Sequence, residues 1–343
     1  MSGAPVTSGA SAMSGASAMS GASAMSGASA MSGASAMSGE PVMSGAQVVG
    51  GAPGRARAGR GASIAGRVAL TVPMLAMLLY CLLPLVWLLV NATKSNAGLL
   101  ESPGLWFADD FALFDNVREV FAYQDGVYGR WFLNTLLYAV LGAGGATAIA
   151  AMGGYALAVY DFPGGRVLFA VVLGAITVPT TALAVPTFLL FTKLGLVNTP
   201  WAVLIPALAS PFGLYLMRVY AADAVPVSML EAARLDGAGE LRIFLGIALR
   251  LLRPGLVTVL LFTLVATWNN YFLPLIVLSE PEWYPLTVGL NQWNSQLGSA
   301  AGGQAVYNLV ITGSLVAIVP LVAAFLLLQR HWRSGLSAGA VKQ

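Results

Sequence analysis

Charge is scarce in this chain: Asp, Glu, Lys and Arg make up 9% of its 343 residues, against 57% hydrophobic. Soluble domains carry about 25% charged residues, so the deficit assigns most of the chain to lipid or to the inside of a helix bundle in lipid. The single cysteine, Cys81, lies in an apolar run. It excludes an internal disulfide and reads as a lipid-facing or packing residue. The single histidine, His331, stands between Arg330 and Arg333 and reads as a juxtamembrane group. No group of Cys, His and carboxylates has metal-ligand spacing, so neither a metal site nor any cofactor on this chain is expected. The net charge of +3 is spread over loops without a basic stripe, which argues against nucleic acid. No apolar run has an ionisable residue at its middle, where a proton relay needs one. Nothing matches G-x-x-x-x-G-K-[ST], so the chain does not bind ATP in that way. Paired carboxylates or a Ser/His dyad within the apolar runs are also missing. An enzyme is therefore not expected, and an energy source must come from another subunit.

What is present divides into two parts. Residues 1–60 are a low-complexity segment, with a six-residue Ser/Gly/Ala unit repeating from Met1 to about Gln47. It lacks side chains large enough to offset ordering entropy and is expected to be disordered. Residues 61–343 form a membrane domain. A spanning helix needs about 20 mostly apolar residues, and six segments qualify: Val68–Val90, Trp131–Val159, Val167–Phe191, Pro200–Tyr220, Ile247–Leu278 and Val306–Leu328. The fold class is an all-α integral membrane protein with six transmembrane helices. An N-in, C-in orientation leaves only Lys94, Arg118, Arg130 and Lys193 outside and the other 13 of the 17 cations inside, as cytoplasmic loops prefer. It places the acidic stretch Ala92–Arg130 and the loop Ser279–Ala305 outside, and the loop 221–250 in the cytoplasm.

That loop has legible local chemistry. Ser228 and Glu231 stand in the S-x-x-E spacing of a capping box, two residues after Pro226. Good helix formers run to Leu235, and Asp236-Gly237 closes the helix because Gly tolerates a left-handed backbone. A second helix restarts near Glu240 and runs into the fifth span. Glu231 and Arg234 share one face at i, i+3, and Ala232 and Ala233 are small enough to admit another backbone. On local features this is an interfacial loop helix, with or without a partner.

The spacing of Glu231-Ala232-Ala233, three residues, Gly237, nine residues, then Ile247-Ala248-Leu249 resembles the EAA motif of binding-protein-dependent ABC importer permeases. Arg250 stands where the motif has proline, and Pro254 follows. The form Asp236-Gly237-Ala238 with Phe244 resembles the carbohydrate-importer branch, in particular the second permease of maltose-type transporters. Val178–Pro206, Ala266–Leu278 and the terminal Leu327–Lys342 are similar to further segments of that branch, so the likeness covers about Val68–Lys342.

The resemblance implies a type I importer permease fold in the plasma membrane of a prokaryote. It implies a second homologous permease subunit, two copies of an ABC ATPase subunit, an extracytoplasmic solute-binding protein and a sugar as substrate. Glu231 would pair with a basic group of the ATPase, Ala232 and Ala233 would pack in its cleft, and Asp236-Gly237 would set the turn. The tail Gly339, Ala340, Val341 and Lys342 would reach the ATPase dimer. Trp268, Asn269 and Asn270 form a polar-aromatic cluster inside the fifth span, suited either to a sugar path or to interhelical packing. Trp283, Tyr284, Asn291, Gln292 and Trp293 are candidates to face the binding protein. A polyol or glycerol-phosphate solute stays open. An ATP-independent carrier would show broken helices or buried charges, which are not evident in the sequence.

Overall fold

The computed structural model describes residues 64–296 and 306–338, with side chains over 68–296 and 306–329. The repeat segment, the tail Gly339–Lys342 and the side chain of His331 lie outside the described residues. Every regular element described is helical. In chain order these are α1 Ile64–Ala92, α2 Asn96–Glu101, α3 Leu113–Val159, which is kinked by non-helical backbone at Tyr123, Gln124, Asp125 and Gly126, α4 Gly165–Thr177, α5 Ala184–Leu194, α6 Trp201–Ala207 and α7 Pro211–Ala224. There follow α8 Val227–Leu235, α9 Glu240–Ile243, a π-helical turn Phe244–Ala248, α10 Leu249–Leu251, α11 Arg253–Trp268, α12 Phe272–Val277, α13 Leu286–Gln296 and α14 Tyr307–Ala338.

Four stretches are long and apolar enough to cross a membrane: Val68–Ala92, Leu113–Val159, Trp201–Ala224 and Tyr307–Gln329. A fifth arises if Glu240–Leu251 and Arg253–Trp268, bent by 79° at Leu252, count as one. The expected third span, Val167–Phe191, is two shorter helices instead. Pro179 explains the break: the residue before a proline is pushed to extended backbone, and Val178 has φ −80° and ψ 122°. The expected fifth span is broken twice, at Leu252 by the following Pro254 and again at Asn269–Tyr271. Broken helices are therefore present where none was evident in the sequence. So is a buried cation: Lys94 is fully buried just beyond α1.

The bundle is organised around α3, which packs against α7, α11 and α14. Its inner stripe is small: Ala139, Gly142, Ala143, Ala146, Ala150 and Gly154 are buried. Without bulky side chains between them, membrane helices approach until backbones touch. At Gly154 a Cβ would stand 2.6 Å from Met217 Cβ and 2.7 Å from the Arg218 amide nitrogen. By contrast, α1 is exposed at every side chain from Val68 to Val86, an apolar surface that only lipid or another membrane helix covers.

At one end of the bundle, Tyr128, Trp131 and Trp293 are fully buried. The Trp131 and Trp293 rings lie 5.0 Å apart. Trp131 Nε1 donates to the Pro281 carbonyl at 2.9 Å, and Tyr128 Oη donates to the Gly313 carbonyl at 2.7 Å. Trp293, expected to face a partner, is thus core: an indole of this size closes the gap between α3 and α13. Asn116 Nδ2 donates to the Ala92 and Lys94 carbonyls, satisfying acceptors that the end of α1 leaves open. Asn308 Nδ2 donates to Glu119 Oε2 and Asn116 Oδ1, joining α14 to the same network.

Candidate functional site

At the other end of the bundle, the last turns of α3 and α7 meet α8, α9 and the π-helical turn. Helix α8 starts two residues earlier than the capping-box spacing predicts. Pro226, at φ −67° and ψ 131°, takes the N-cap position, and no side-chain cap bond forms. Its carbonyl accepts from the Met229 N–H at 3.1 Å. Ser228 is therefore already helical and cannot serve as the cap.

The C-terminus closes as expected. The Gly237 N–H donates to the Arg234 carbonyl and the Ala238 N–H to the Ala233 carbonyl, both at 3.0 Å. Gly237 takes φ +78°. This is the paired bond pattern of a Schellman motif, which satisfies two of the helix's open carbonyls.

The inner face of α8 presents Leu230, fully buried, and Ala233, at 9% exposure. They pack in one apolar cluster with Met217, Val225, Ile243 and Leu252. Ala233 thus packs against the chain's own core. Helical geometry forces this, because Ala233 lies at i+3 from Leu230 and shares its face. Ala232, Asp236, Gly237 and Glu231 are exposed. The Glu231 side chain makes no hydrogen bond or ion pair among the described residues. Around it the apolar side chains Val227, Met229 and Leu235 are exposed, Leu235 at 90%. Beside α8, Gly239–Arg242, Leu245 and Gly246 line an open groove of about 740 Å³.

Arg234 does not pair with Glu231 as its spacing suggests. Its Nε donates to Glu240 Oε1 at 2.7 Å and its Nη2 to Glu240 Oε2 at 3.3 Å. The other Glu240 contact is Tyr160, just past the end of α3, whose Oη donates to Oε2 at 2.6 Å. Glu240 is the hub that sequence reasoning missed. Tyr160 is 80 residues away, so no local spacing signals the contact. The hydrogen bonds from Arg234 and then Tyr160 hold the Glu240 carboxyl below the usual carboxylate range. Burial, then the bond to Glu240, pushes the Tyr160 hydroxyl up, so it remains a donor at any physiological pH. An exposed pair of one cation and one anion would alone be worth little, but the Tyr160 hydroxyl makes it a three-member bridge from α8 to α3.

Beyond α9, the π-helical turn covers Ile247-Ala248, and the chain bends by 79° into α11. Arg250 is compatible with this course because Pro254 occupies the first turn of α11, where its missing N–H has no helical acceptor to lose.

The second candidate cluster is dispersed. Trp268 is buried, its Nε1 donates to the Ala317 carbonyl of α14 at 3.2 Å, and its ring meets Phe132 edge to face. It packs helices. The Asn270 carbonyl accepts from Thr287 Oγ1 at 2.8 Å. Asn269 alone is exposed, with its Nδ2 turned back on the Val265 carbonyl at 2.8 Å. Phe262, Val265 and Phe272 are also exposed. Of the candidates at the opposite end, Asn291 is exposed and Trp283, Tyr284 and Gln292 are half-buried.

Residues 150–334 match the family model described as binding-protein-dependent transport system inner membrane component. The arabinooligosaccharides transport system permease protein AraQ of Bacillus subtilis is 33% identical over 277 residues, covering 80% of this chain and 96% of that protein. The maltodextrin transport system permease protein MalD of Streptococcus pneumoniae is 31% identical over 231 residues, covering 67% and 80%. The diacetylchitobiose uptake system permease protein NgcG of Streptomyces coelicolor is 28% identical over 263 residues, covering 76% and 84%. A chain in the crystal structure of a bacterial ABC transporter involved in alginate import superposes with a TM-score of 0.68 at 23% identity, over 77% of this chain and 95% of that one.

Proposed function

Because this chain belongs to the family of binding-protein-dependent transport system inner membrane components, we propose that it is a permease subunit of an ATP-driven importer for a sugar or oligosaccharide. The observation that carries the reading is α8: a short helix, closed by Gly237, seated through Leu230, and presenting an unpaired Glu231 beside exposed Leu235. In this reading the α8 end faces the cytoplasm, with both termini on that side. The chain crosses six times, α4 with α5 serving as the third crossing and α11 with α12 as the fifth. A separate ATPase docks on α8, with Glu231 meeting a basic group of that subunit and Ala232 at the contact. Asp236 and Gly237 fix the turn, and Gly339–Lys342 extends toward the same partner.

Closure of the ATPase dimer then moves α8 as one body. The displacement passes to α3 through Arg234, Glu240 and Tyr160, and to α11 through the bend at Leu252. The chain performs no covalent chemistry. A second permease subunit completes the path, and an extracytoplasmic binding protein delivers the solute. Relatives named for arabinooligosaccharides, maltodextrin and diacetylchitobiose support a saccharide over a polyol or a phosphorylated glycerol. Asn269, an exposed amide on the fifth crossing, is the side chain of this subunit best suited to line the path.

The test is co-purification with the co-expressed partner subunits and uptake into proteoliposomes for the wild type and Glu231→Lys. The expected result is loss of uptake with the protein still in the membrane. Retained uptake and ATPase coupling in Glu231→Lys would rule out the docking role.

A further inference from the structure

At the end of the bundle opposite α8, the chain leaves α1 and doubles back along it. Asn91 Nδ2 donates to the Gly104 carbonyl at 2.7 Å, and the buried Lys94 ammonium donates to the Pro103 carbonyl at 2.8 Å. Gly104 lies so close to α1 that a Cβ on it would stand 3.0 Å from Trp87 Nε1. The segment returns at Ala112, whose N–H donates to the Thr93 carbonyl at 2.7 Å. From Trp87 to the helix end at Ala92 is about 7.5 Å at the α-helical rise. The turn at Pro103–Trp106 therefore lies alongside the last turn and a half of α1, below the end of an apolar spanning helix.

From this excursion Leu105, Trp106 and Phe107 project at 55%, 72% and 54% exposure. Phe111 and Phe114 follow at 62% and 78%, with ring centroids 6.1 Å apart. Water does not favour so many neighbouring bare rings on one surface. The boundary between headgroups and acyl chains does, because an indole there buries its apolar body and keeps its N–H wet. The patch starts beside Trp87, at the end of the helix whose exposed apolar surface only lipid or another membrane helix covers. Asp109 and Asp110, exposed between the two groups of rings, suit the headgroup layer and disfavour an anionic lipid surface.

We propose that Leu105–Phe114 is an aromatic collar seated in the lipid interface at the end of the bundle opposite α8, held at that depth by Asn91 and Lys94. This assignment is independent of the transported solute and of which side of the membrane that end faces.

The test is nitroxide accessibility in phosphatidylcholine nanodiscs, with the chain co-expressed and purified with its partner subunits. The background is Cys81→Ser, since Cys81 is exposed. Labels go at Trp106→Cys, Phe107→Cys and Phe114→Cys. Leu79→Cys reports lipid and Asn294→Cys reports water, both positions being exposed. The expected result is high oxygen and low nickel-chelate accessibility at the three collar positions, as at position 79. Chelate accessibility matching position 294 would overturn the proposal in favour of a surface that meets a soluble partner. Low accessibility to both reagents would overturn it in favour of cover by another subunit. Three separate positions keep the outcome readable if one variant fails to assemble.

Discussion

Leu230→Ala should unseat α8 without touching its exposed face. Leu230 is fully buried, and the only other buried residue of this helix is Ala233, which contributes a single methyl group. The attachment of α8 to the bundle core therefore rests on one large side chain. Truncating a buried leucine costs about 2–5 kcal/mol, depending on how far the site collapses. The surroundings here, Met217, Val225, Ile243 and Leu252, belong to α7, the following turn, α9 and the bend, and these cannot close together without moving spans. The upper half of that range is expected. Even about 2 kcal/mol raises the population of a locally open α8 about 30-fold. The assay is amide exchange over residues 227–238 in the nucleotide-free complex, together with uptake and ATPase rate in proteoliposomes. Protection of α8 should fall by at least about 30-fold while that of α3 and α7 holds, and ATP hydrolysis should continue with little uptake. Unchanged protection and full uptake would refute the seating argument, because α8 would then be held by something other than its apolar face.

The remaining predictions concern the same end of the molecule. Gly237→Val puts a β-branched side chain at φ +78°, at a cost of about 1–3 kcal/mol; uptake should fall, and Gly237→Asn, which tolerates that backbone, should retain most of it. Tyr160→Phe and Glu240→Gln each cut the bridge from α8 to α3, and uptake per ATP hydrolysed should drop in both with α8 still protected from exchange. The bridge should be constant between about pH 5 and 8. The Glu240 carboxyl is lowered in the folded state, so its contribution is present above the ordinary carboxylate range and is lost only as pH falls through the lowered value. A loss of uptake between pH 8 and 6 that Glu240→Gln abolishes would contradict this sign. Gly154→Leu, forced against the backbone of α7 at Arg218, should lower the thermal midpoint of the solubilised protein, since overpacking costs about 1–3 kcal/mol or more.

How much of this was legible in advance varies with the range of the interaction. The apolar runs that became α1 and α14 are continuous in sequence, and helices formed there because each backbone bond closes within four residues. The stop at Gly237 was equally local, since a left-handed C-terminus needs only the glycine and its two flanking amides. Pro179 and Pro254 were visible as residues, but the runs they interrupt are apolar enough to read through. Length and hydropathy therefore overstated the third and fifth spans. The capping box failed for a nearby reason: Pro226 took the cap position two residues before Ser228.

Which face meets which partner is set by approach, and approach is not written locally. The sequence alone determined that this is a membrane chain of apolar helices carrying a short capped helix with the spacing Glu231-Ala232-Ala233…Gly237. Tertiary structure decided that Ala233 turns inward, that Arg234 leaves Glu231 for Glu240, and that Tyr160 completes the bridge to α3. It likewise buried Trp268, which suited either a sugar path or helix packing, and Trp293, a candidate to face a partner. An indole or a carboxylate has one chemistry in isolation. Its task depends on which helix packs against it, and the small stripe of α3 fixed that by letting α7 close to backbone contact at Gly154.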